Sequence, residues 1–235
     1  MRIDKYIQQK FNLRSRTYAE NLILKGQVLL NGAPVFKPSA DVSDGDVTEI
    51  LSDDDFASQG AYKLQKALDD FGTDVTGRSC LDIGCSNGGF TDCLLRKGAA
   101  KILAVDVAEC ALPERILSDP RVTFLRANAR ELDLDEKFGF ICADVSFISL
   151  QYILPAVSAL LTDDGEAVVL VKPQFECGKK ALNKKGIVTD PKDRLKAVES
   201  VKSYAFENGL RAVAETEAPV YYADKNVEYL LLLSK

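Results

Sequence analysis

The chain has 235 residues, 46% apolar and 28% charged, with a formal net charge of −5. That length and composition suit one large globular domain plus a small one, each with enough apolar residues for a core. The absence of histidine excludes histidine general bases and histidine metal sites, so proton transfer must use Lys, Asp, Glu or Tyr. No apolar run is long enough to span a membrane and no signal-peptide pattern opens the chain, so a cytoplasmic protein with no membrane partner is expected. The six cysteines, Cys80, Cys85, Cys93, Cys110, Cys142 and Cys177, contain no C-x-x-C pair. Buried thiols in a reducing compartment are expected rather than disulfides or a metal site.

At the N-terminus, Ile3, Tyr6, Ile7 and Phe11 fall on one face of a short helix. Asn12 breaks it. Ser15 caps a second helix that runs to Leu24, with Gly26 ending it. Val28-Leu29-Leu30 reads as a strand, Asn31-Gly32 as a tight turn, and Pro34-Val35-Phe36 as the return. Asp44-Gly45-Asp46 turns into a last strand, 47–50. The basic residues before position 40 are Arg2, Lys5, Lys10, Arg14, Arg16, Lys25 and Lys37, against only Asp4 and Glu20. A lopsided charge on a small unit is an electrostatic footprint for nucleic acid, although solvated helix faces carry such charges too.

The run Arg2-Ile3-Asp4-Lys5-Tyr6-Ile7, with Ser15-Arg16, Lys25-Gly26-Gln27-Val28 and Asn31-Gly32, resembles the ribosomal-protein S-four type of RNA-binding domain. The resemblance implies that Arg2, Lys5, Arg14, Arg16 and Lys25 face RNA phosphates. It gives a small α+β domain over residues 1–50. Residues 51–60, acidic and weakly patterned, read as a linker, and 61–235 as the second domain.

The second domain opens with an amphipathic helix carrying Leu64, Ala67, Leu68 and Phe71 on one face. A helix that feeds the first strand runs antiparallel to it, which puts Lys63 near the strand carboxyl ends. Leu81-Asp82-Ile83-Gly84-Cys85-Ser86-Asn87-Gly88-Gly89-Phe90 then reads as strand, glycine-rich turn and helix, the first unit of a doubly wound α/β fold. The spacing approaches the dinucleotide fingerprint, but Ser86 replaces the glycine that lets backbone approach a pyrophosphate. Asp82 would repel a diphosphate and suits a ligand with an ammonium and a sulfonium, which is S-adenosylmethionine. Asp106, ending the second strand, is placed for ribose hydroxyls. Asn128, after the third strand at 122–125, faces the adenine. The fourth strand, 138–143, ends at Asp144, and a helix over 150–161 follows. The fifth strand ends at Lys172-Pro173, where the proline stops continuation and exposes Lys172 at the sheet edge. A helix over 191–208 and strands at 210–214 and 227–233 complete the chain. With the last strand inserted antiparallel in a mostly parallel sheet, Glu228 reaches the same edge.

The set Lys63, Asp144, Lys172 and Glu228, with Asp82-x-Gly84 and Gly88-Gly89-Phe90-Thr91-Asp92, resembles the FtsJ-like ribose methyltransferases. Joined to the N-terminal module, it resembles the TlyA family, also labelled hemolysin A. The most specific segments are Gly60-Ala61-Tyr62-Lys63-Leu64, Asp144-Val145-Ser146-Phe147-Ile148-Ser149-Leu150 and Val171-Lys172-Pro173-Gln174-Phe175-Glu176. The resemblance implies a Rossmann-like methyltransferase sheet and S-adenosylmethionine held by Asp82, Gly84, Ser86, Gly88, Gly89, Phe90, Asp106, Asn128 and Asp144. It implies 2′-O-methylation of a cytidine ribose in bacterial ribosomal RNA, with no metal.

Within that reading, Lys63 positions the acceptor. Lys172, near Asp144 and Glu228, either takes the hydroxyl proton if neutral or stabilises the developing alkoxide if charged. Lys179, Lys180, Lys184 and Lys185 offer phosphate contacts, and Phe147 or Phe175 a stacking surface. For a chain this short the resemblance implies the large-subunit rRNA alone. Two departures stand out: Gln59 where the family carries arginine, and Tyr221-Tyr222-Ala223-Asp224-Lys225-Asn226 where it carries a glycine-rich loop. The rival readings are an RNA-binding protein with an inactive methyltransferase domain, a small-molecule methyltransferase, and a membrane-lysing hemolysin.

Overall fold

The computed structural model describes residues 1–13, 15–24, 27–50, 56–109, 111–219 and 225–235. It divides into two compact units, Met1–Asp55 and Phe56–Lys235. Arg14, Lys25, Gly26, Cys110, residues 51–55 of the acidic linker and residues 221–224 of the altered loop lie outside the described residues.

In the first unit, α1 (Ile3–Lys10) and α2 (Arg16–Leu24) pack on a sheet of β1 (Val28–Leu30), β2 (Ala33–Pro34) and β3 (Thr48–Ile50), ordered β2-β1-β3. Ser15 Oγ accepts from the Tyr18 backbone N–H at 3.1 Å, as its place before α2 predicts. Asn31 and Gly32 both take positive φ, the pair that a tight hairpin turn demands. The return strand starts at Ala33, one residue earlier than the pattern suggests, because this two-residue turn fixes its register. Ile3, Ile7, Ala19, Leu22, Ile23, Val28 and Val42 form the core. Phe11, expected on the apolar face, sits past the helix end and is exposed.

Beside this core lies Asp4, completely buried. Its carboxylate accepts from the Arg2 guanidinium at 2.7 and 3.2 Å, from Arg16 at 2.8 and 3.1 Å, and from the Lys5 backbone N–H at 2.7 Å. Burial pushes its carboxyl up, but the bonds from Arg2, Arg16 and Lys5 outweigh it and bring it down to about 2. Each arginine stays about half exposed.

In the second unit, α3 (Gly60–Phe71) leads to β4 (Ser79–Ile83), α4 (Gly89–Arg96), β5 (Lys101–Asp106), α5 (Glu114–Leu117), β6 (Val122–Arg126) and β7 (Phe138–Ala143). Then come α6 (Leu154–Leu160), β8 (Leu161–Val171), α7 (Pro173–Glu176), α8 (Pro191–Glu207), β9 (Arg211–Glu217) and β10 (Tyr229–Ser234). The seven strands are ordered β6-β5-β4-β7-β8-β10-β9. Strands β4 to β8 pair in parallel, and β10 is antiparallel to both neighbours. The helix expected over 150–161 is split into a 3₁₀ turn, Leu150–Tyr152, and α6, whose first turn holds Pro155, a residue with no N–H to extend a helix backwards. Apolar clusters cover both faces of the sheet, one with α3, α4 and α5, the other with α6 and α8. Fully apolar strands such as Val168 to Val171 are what a sheet buried on both sides requires. Phe56 and Ala57, read from sequence as linker, are buried in the first of these clusters, because their apolar side chains fit under α4. No helix among the described residues is long and apolar enough to cross a membrane.

Asp4 carries a linkage consequence. Its pKa is lower folded than unfolded, so its stabilisation is full above about 4 and is lost as pH falls through about 2. Asp4→Asn is expected to destabilise the first unit by roughly 1–3 kcal/mol, discounted for the half-exposed arginines. Hydrogen exchange of the α1 and α2 amides at pH 7 should accelerate accordingly, with those of β4 to β8 unchanged.

Candidate active site

The site forms where β4, β5, β7 and β8 end together. After β4 the chain turns through Gly84, whose N–H donates to the Val105 carbonyl of β5 at 2.8 Å. The Asp144 N–H donates to the Ile83 carbonyl at 3.0 Å. Gly84 has φ +83°, and a Cβ there would collide with the Asp144 carbonyl oxygen. The glycine is therefore demanded by backbone-to-backbone approach as well as by conformation. Gly89, at the start of α4, is equally confined: a Cβ would stand 3.0 Å from the Ala61 backbone nitrogen of α3.

Two adjoining cavities open at this edge. One, of about 390 Å³, is lined by Asp106, Asn128, Ile148 and Ile153 among others; the second, of about 220 Å³, by Gln59, Lys63, Gly89, Phe90 and Lys172 among others. Gly84, Ser86, Asp144 and Ser146 border both. Asp106 is fixed at the rim of the larger one, where its carboxylate accepts from the Ser86 N–H at 2.9 Å and the Ala108 N–H at 3.0 Å. Asn128 caps a 3₁₀ turn, its side-chain oxygen accepting from the Arg130 N–H at 3.2 Å, and its amide donates to Glu131 at 3.2 Å.

The smaller cavity is flanked by two lysine–carboxylate pairs. Lys172 Nζ stands 2.5 Å from Asp144 Oδ1 and donates to Ser146 Oγ at 2.8 Å. Lys63 Nζ donates to Glu228 Oε2 at 2.6 Å. Glu228 itself precedes β10, and its carbonyl accepts from the Ala218 N–H at 2.9 Å. Residues 165 positions apart in sequence thus meet across α3 and the sheet edge.

Asp82 and Gly88 do not line either cavity. Asp82 is fully buried beneath the glycine turn, accepting from Thr91 Oγ1 at 2.6 Å with Cys142 Sγ at 3.7 Å. Burial, together with the Asp144 charge, raises its carboxyl to about 7, against the opposing bonds from Thr91 and Cys142. Gly88 takes φ +78° at the entrance to α4, where a Cβ would press on Leu112.

Three further residues shape the edge, each only one position of a motif in the sequence. Asp92, almost fully buried on α4, accepts from the Ala57 N–H at 2.7 Å and from the Arg115 guanidinium at 2.6 and 2.8 Å. Burial pushes Asp92 up, and the bonds from Arg115 and Ala57 bring it below the ordinary range. Glu176 accepts from Ser149 Oγ at 2.6 Å and the Leu150 N–H at 2.9 Å, tying the segment after β8 to that after β7, and burial raises its carboxyl. Ser146 completes the Lys172 shell. An aspartate in the first turn of one helix and a glutamate at the end of another carry no local signal of such long-range partners. Phe147, 91% exposed at φ +64°, lies 5.3 Å from the Phe175 ring, between centroids.

The strand order, the single antiparallel strand and the glycine turn with a carboxylate ending the next strand define a Rossmann-like methyltransferase. Residues 56–235 match the family model described as FtsJ-like methyltransferase, and residues 1–47 match the S4 domain. The chain is 41% identical to the 16S/23S rRNA (cytidine-2′-O)-methyltransferase TlyA of Mycobacterium tuberculosis, over 99% of this chain and 89% of that protein. It is 37% identical to Hemolysin A of Brachyspira hyodysenteriae, over 98% of each. A solved structure from Streptococcus thermophilus, provisionally labelled a hemolysin, superposes with a TM-score of 0.75 at 33% identity, covering 100% of this chain and 88% of that one. The chain belongs to the TlyA family of FtsJ-like methyltransferases.

The cofactor of this family is S-adenosylmethionine, and the residues present fit it. The larger cavity lies within the range of small-molecule sites, roughly 300–1,000 Å³. Asp106 offers its carboxylate at the strand end where ribose hydroxyls bind in such folds. Each lysine at the smaller cavity already has a carboxylate partner, so a cationic ligand meets no uncompensated positive charge.

Two outcomes are expected. Gly84→Ala should abolish S-adenosylmethionine binding in calorimetry and cost at least about 2 kcal/mol of stability, from backbone strain at positive φ plus the collision with Asp144. Asp82 holds a proton in the fold that the unfolded chain has lost between about 4 and about 7, so its contribution to stability falls as pH rises through that window. In denaturant titrations at pH 5 and pH 8, Asp82→Asn should therefore gain stability relative to the unsubstituted protein at the higher pH.

Proposed function

We propose that the chain transfers the methyl group of S-adenosylmethionine to the 2′-hydroxyl of a cytidine ribose in ribosomal RNA. The observation that carries this reading is the pairing of Lys172 with Asp144 and of Lys63 with Glu228 at the cavity beside the glycine turn. The activity of the M. tuberculosis relative, rRNA cytidine-2′-O-methylation, supports it, as does the S4 match of the basic first unit. When bound, the cofactor supplies a methyl group on a sulfonium, open to in-line attack.

A ribose hydroxyl is a weak nucleophile and gains most from alignment and from stabilisation of charge developing on its oxygen. An ammonium has three donors. With Asp144 and Ser146 beside it, Lys172 keeps one for the acceptor oxygen. It thereby orients the hydroxyl and stabilises the charge developing on its oxygen as the hydroxyl proton passes to solvent and the methyl group leaves sulfur for that oxygen. Lys63, braced by Glu228, holds the acceptor nucleotide from the α3 side. Asp106 binds the cofactor ribose, and Asn128 faces its base. Asp82 acts from below by fixing Thr91 and the turn. In the first unit, Arg2, Lys5 and Arg16 are exposed to RNA phosphates, with Asp4 setting the angle between the two arginines. A ribosomal substrate implies action in the cytoplasm.

The test is transfer of labelled methyl from S-adenosylmethionine to purified unmethylated 30S and 50S subunits. The protein should label a subunit. Lys172→Ala should slow transfer at least ~100-fold, the scale of removing one preorganised donor to a developing oxyanion, with cofactor affinity retained. Absence of labelling in both subunits, or full activity of Lys172→Ala, overturns the proposal.

A further inference from the structure

The neighbouring parallel strands β7 and β8 each release a segment at the site, and the two segments are fastened together at two places. The first fastening lies at the cavities. Lys172 Nζ, paired with Asp144, donates to Ser146 Oγ at 2.8 Å, and Ser146 borders both cavities. The second lies one short helix away. Glu176 Oε2 accepts from Ser149 Oγ at 2.6 Å, and its Oε1 accepts from the Leu150 N–H at 2.9 Å.

Both sides of this second fastening are firm. The turn of α7 fixes Glu176 relative to Lys172: the Phe175 N–H donates to the Lys172 carbonyl at 2.9 Å, and the Cys177 N–H to the Pro173 carbonyl at 2.8 Å. On the other segment, Ser149 Oγ also accepts from the Gln151 N–H at 3.1 Å, and Leu150 and Ile153 are buried in the core. Between the two fastenings stands Phe147, at φ +64°. A bulky residue seldom enters this left-handed region, and one that does is strained. The Phe147 side chain is almost fully exposed, so core packing does not offset the strain. The bonds on either side hold it, from Lys172 to Ser146 before it and from Ser149 and Leu150 to Glu176 after it.

Resting on the methyl-transfer reading above, we propose that Glu176 is a positioning residue for that reaction. It lines neither cavity of the site. It acts by keeping the backbone at Phe147 left-handed, which holds Ser146 Oγ in place as an acceptor for Lys172. Without Glu176 that backbone relaxes to negative φ and carries Ser146 away. Lys172 then turns on Asp144 alone, and its remaining donor loses its aim at the acceptor oxygen. A carboxylate suits the task because each of its two oxygens serves one donor, the hydroxyl and the backbone N–H.

The experiment uses the full chain as the unsubstituted protein, Glu176→Ala, Glu176→Gln, Phe147→Asn and Glu176→Ala/Phe147→Asn. The readouts are single-turnover methyl transfer to unmethylated 30S and 50S subunits at saturating cofactor, S-adenosylmethionine affinity, and hydrogen exchange of the amides at 145–148. Glu176→Ala should slow transfer at least about tenfold, the scale of a displaced reacting group. Its cofactor affinity should stay within about threefold, since the glycine turn and Asp106 make no contact with it. Glu176→Gln should transfer within about threefold of the unsubstituted rate, because its amide accepts from the Leu150 N–H and donates to Ser149 Oγ. Asparagine takes positive φ with less strain than phenylalanine. Against Phe147→Asn, the further loss of Glu176 should therefore cost about threefold or less. Exchange at 145–148 should quicken in Glu176→Ala, and by less when Phe147→Asn is also present. An equal cost of losing Glu176 in both backgrounds overturns the proposal. So does a loss of cofactor affinity that matches the loss of transfer, the mark of a merely structural wall. So does a Glu176→Gln as slow as Glu176→Ala. If the unsubstituted protein labels neither subunit, the methyl-transfer reading falls. Exchange at 145–148 then judges the clamp by itself, and an unchanged rate in Glu176→Ala overturns it.

Discussion

The site depends on the closeness of two backbones. Where β4 and β7 end, Gly84 lies against the Asp144 carbonyl with no room for a side chain. The N–H groups of Gly84 and Asp144 are bonded across to Val105 and Ile83. Three parallel strands are thereby locked at their last residues. The glycine turn, Asp106 and Asp144 cannot move independently. Because Asp144 carries Lys172, the same constraint fixes the lysine relative to the turn. Parallel strands splay their carboxyl ends into a crevice, and a locked crevice is a preorganised one.

Buried carboxylates do the remaining fastening, each in its own way. Asp4 is met by two arginines and is held well below the ordinary range. Asp92 is met by Arg115 and by the Ala57 backbone, which draws the start of the second unit against α4. Asp82 is met by the Thr91 hydroxyl and backbone N–H and by the Cys142 thiol, and burial wins. Three aspartates of one chain thus cover the range from strongly acidic to nearly neutral, set by whether a cation is within reach. Each removes one aspartate from solvent, and each orders backbone that the functional groups stand on.

Family membership gives these groups a shared purpose, and the two units divide it. The first is small, with Arg2 and Arg16 both bonded to the buried Asp4. The second carries the crevice. Its own lysine-rich segment, with Lys179, Lys180, Lys184 and Lys185, lies between Lys172 and α8.

Much of this was legible in the residues. The periodicities of α3 and α4, the apolar run of β8, the Asn31-Gly32 turn and the glycine turn after β4 are local signals: a few neighbouring side chains decide them. The motif Asp82-x-Gly84, read with Asp106, Asp144 and Lys172, pointed to one sheet edge because parallel topology brings strand ends together. What local pattern did not contain was everything decided by partners far along the chain. Ala57 is bonded to Asp92 far along the chain, and Asp82, beneath the cavities, to Thr91 and Cys142. The bonds of Glu176 to Ser149, and of Asn226 to Val188 and Gly186, likewise join distant segments. Sequence determined which elements form and which residue types could do chemistry. The tertiary structure alone decided which of them touch, because hydrogen bonds and ion pairs act over a few ångströms in space, whatever the separation along the chain.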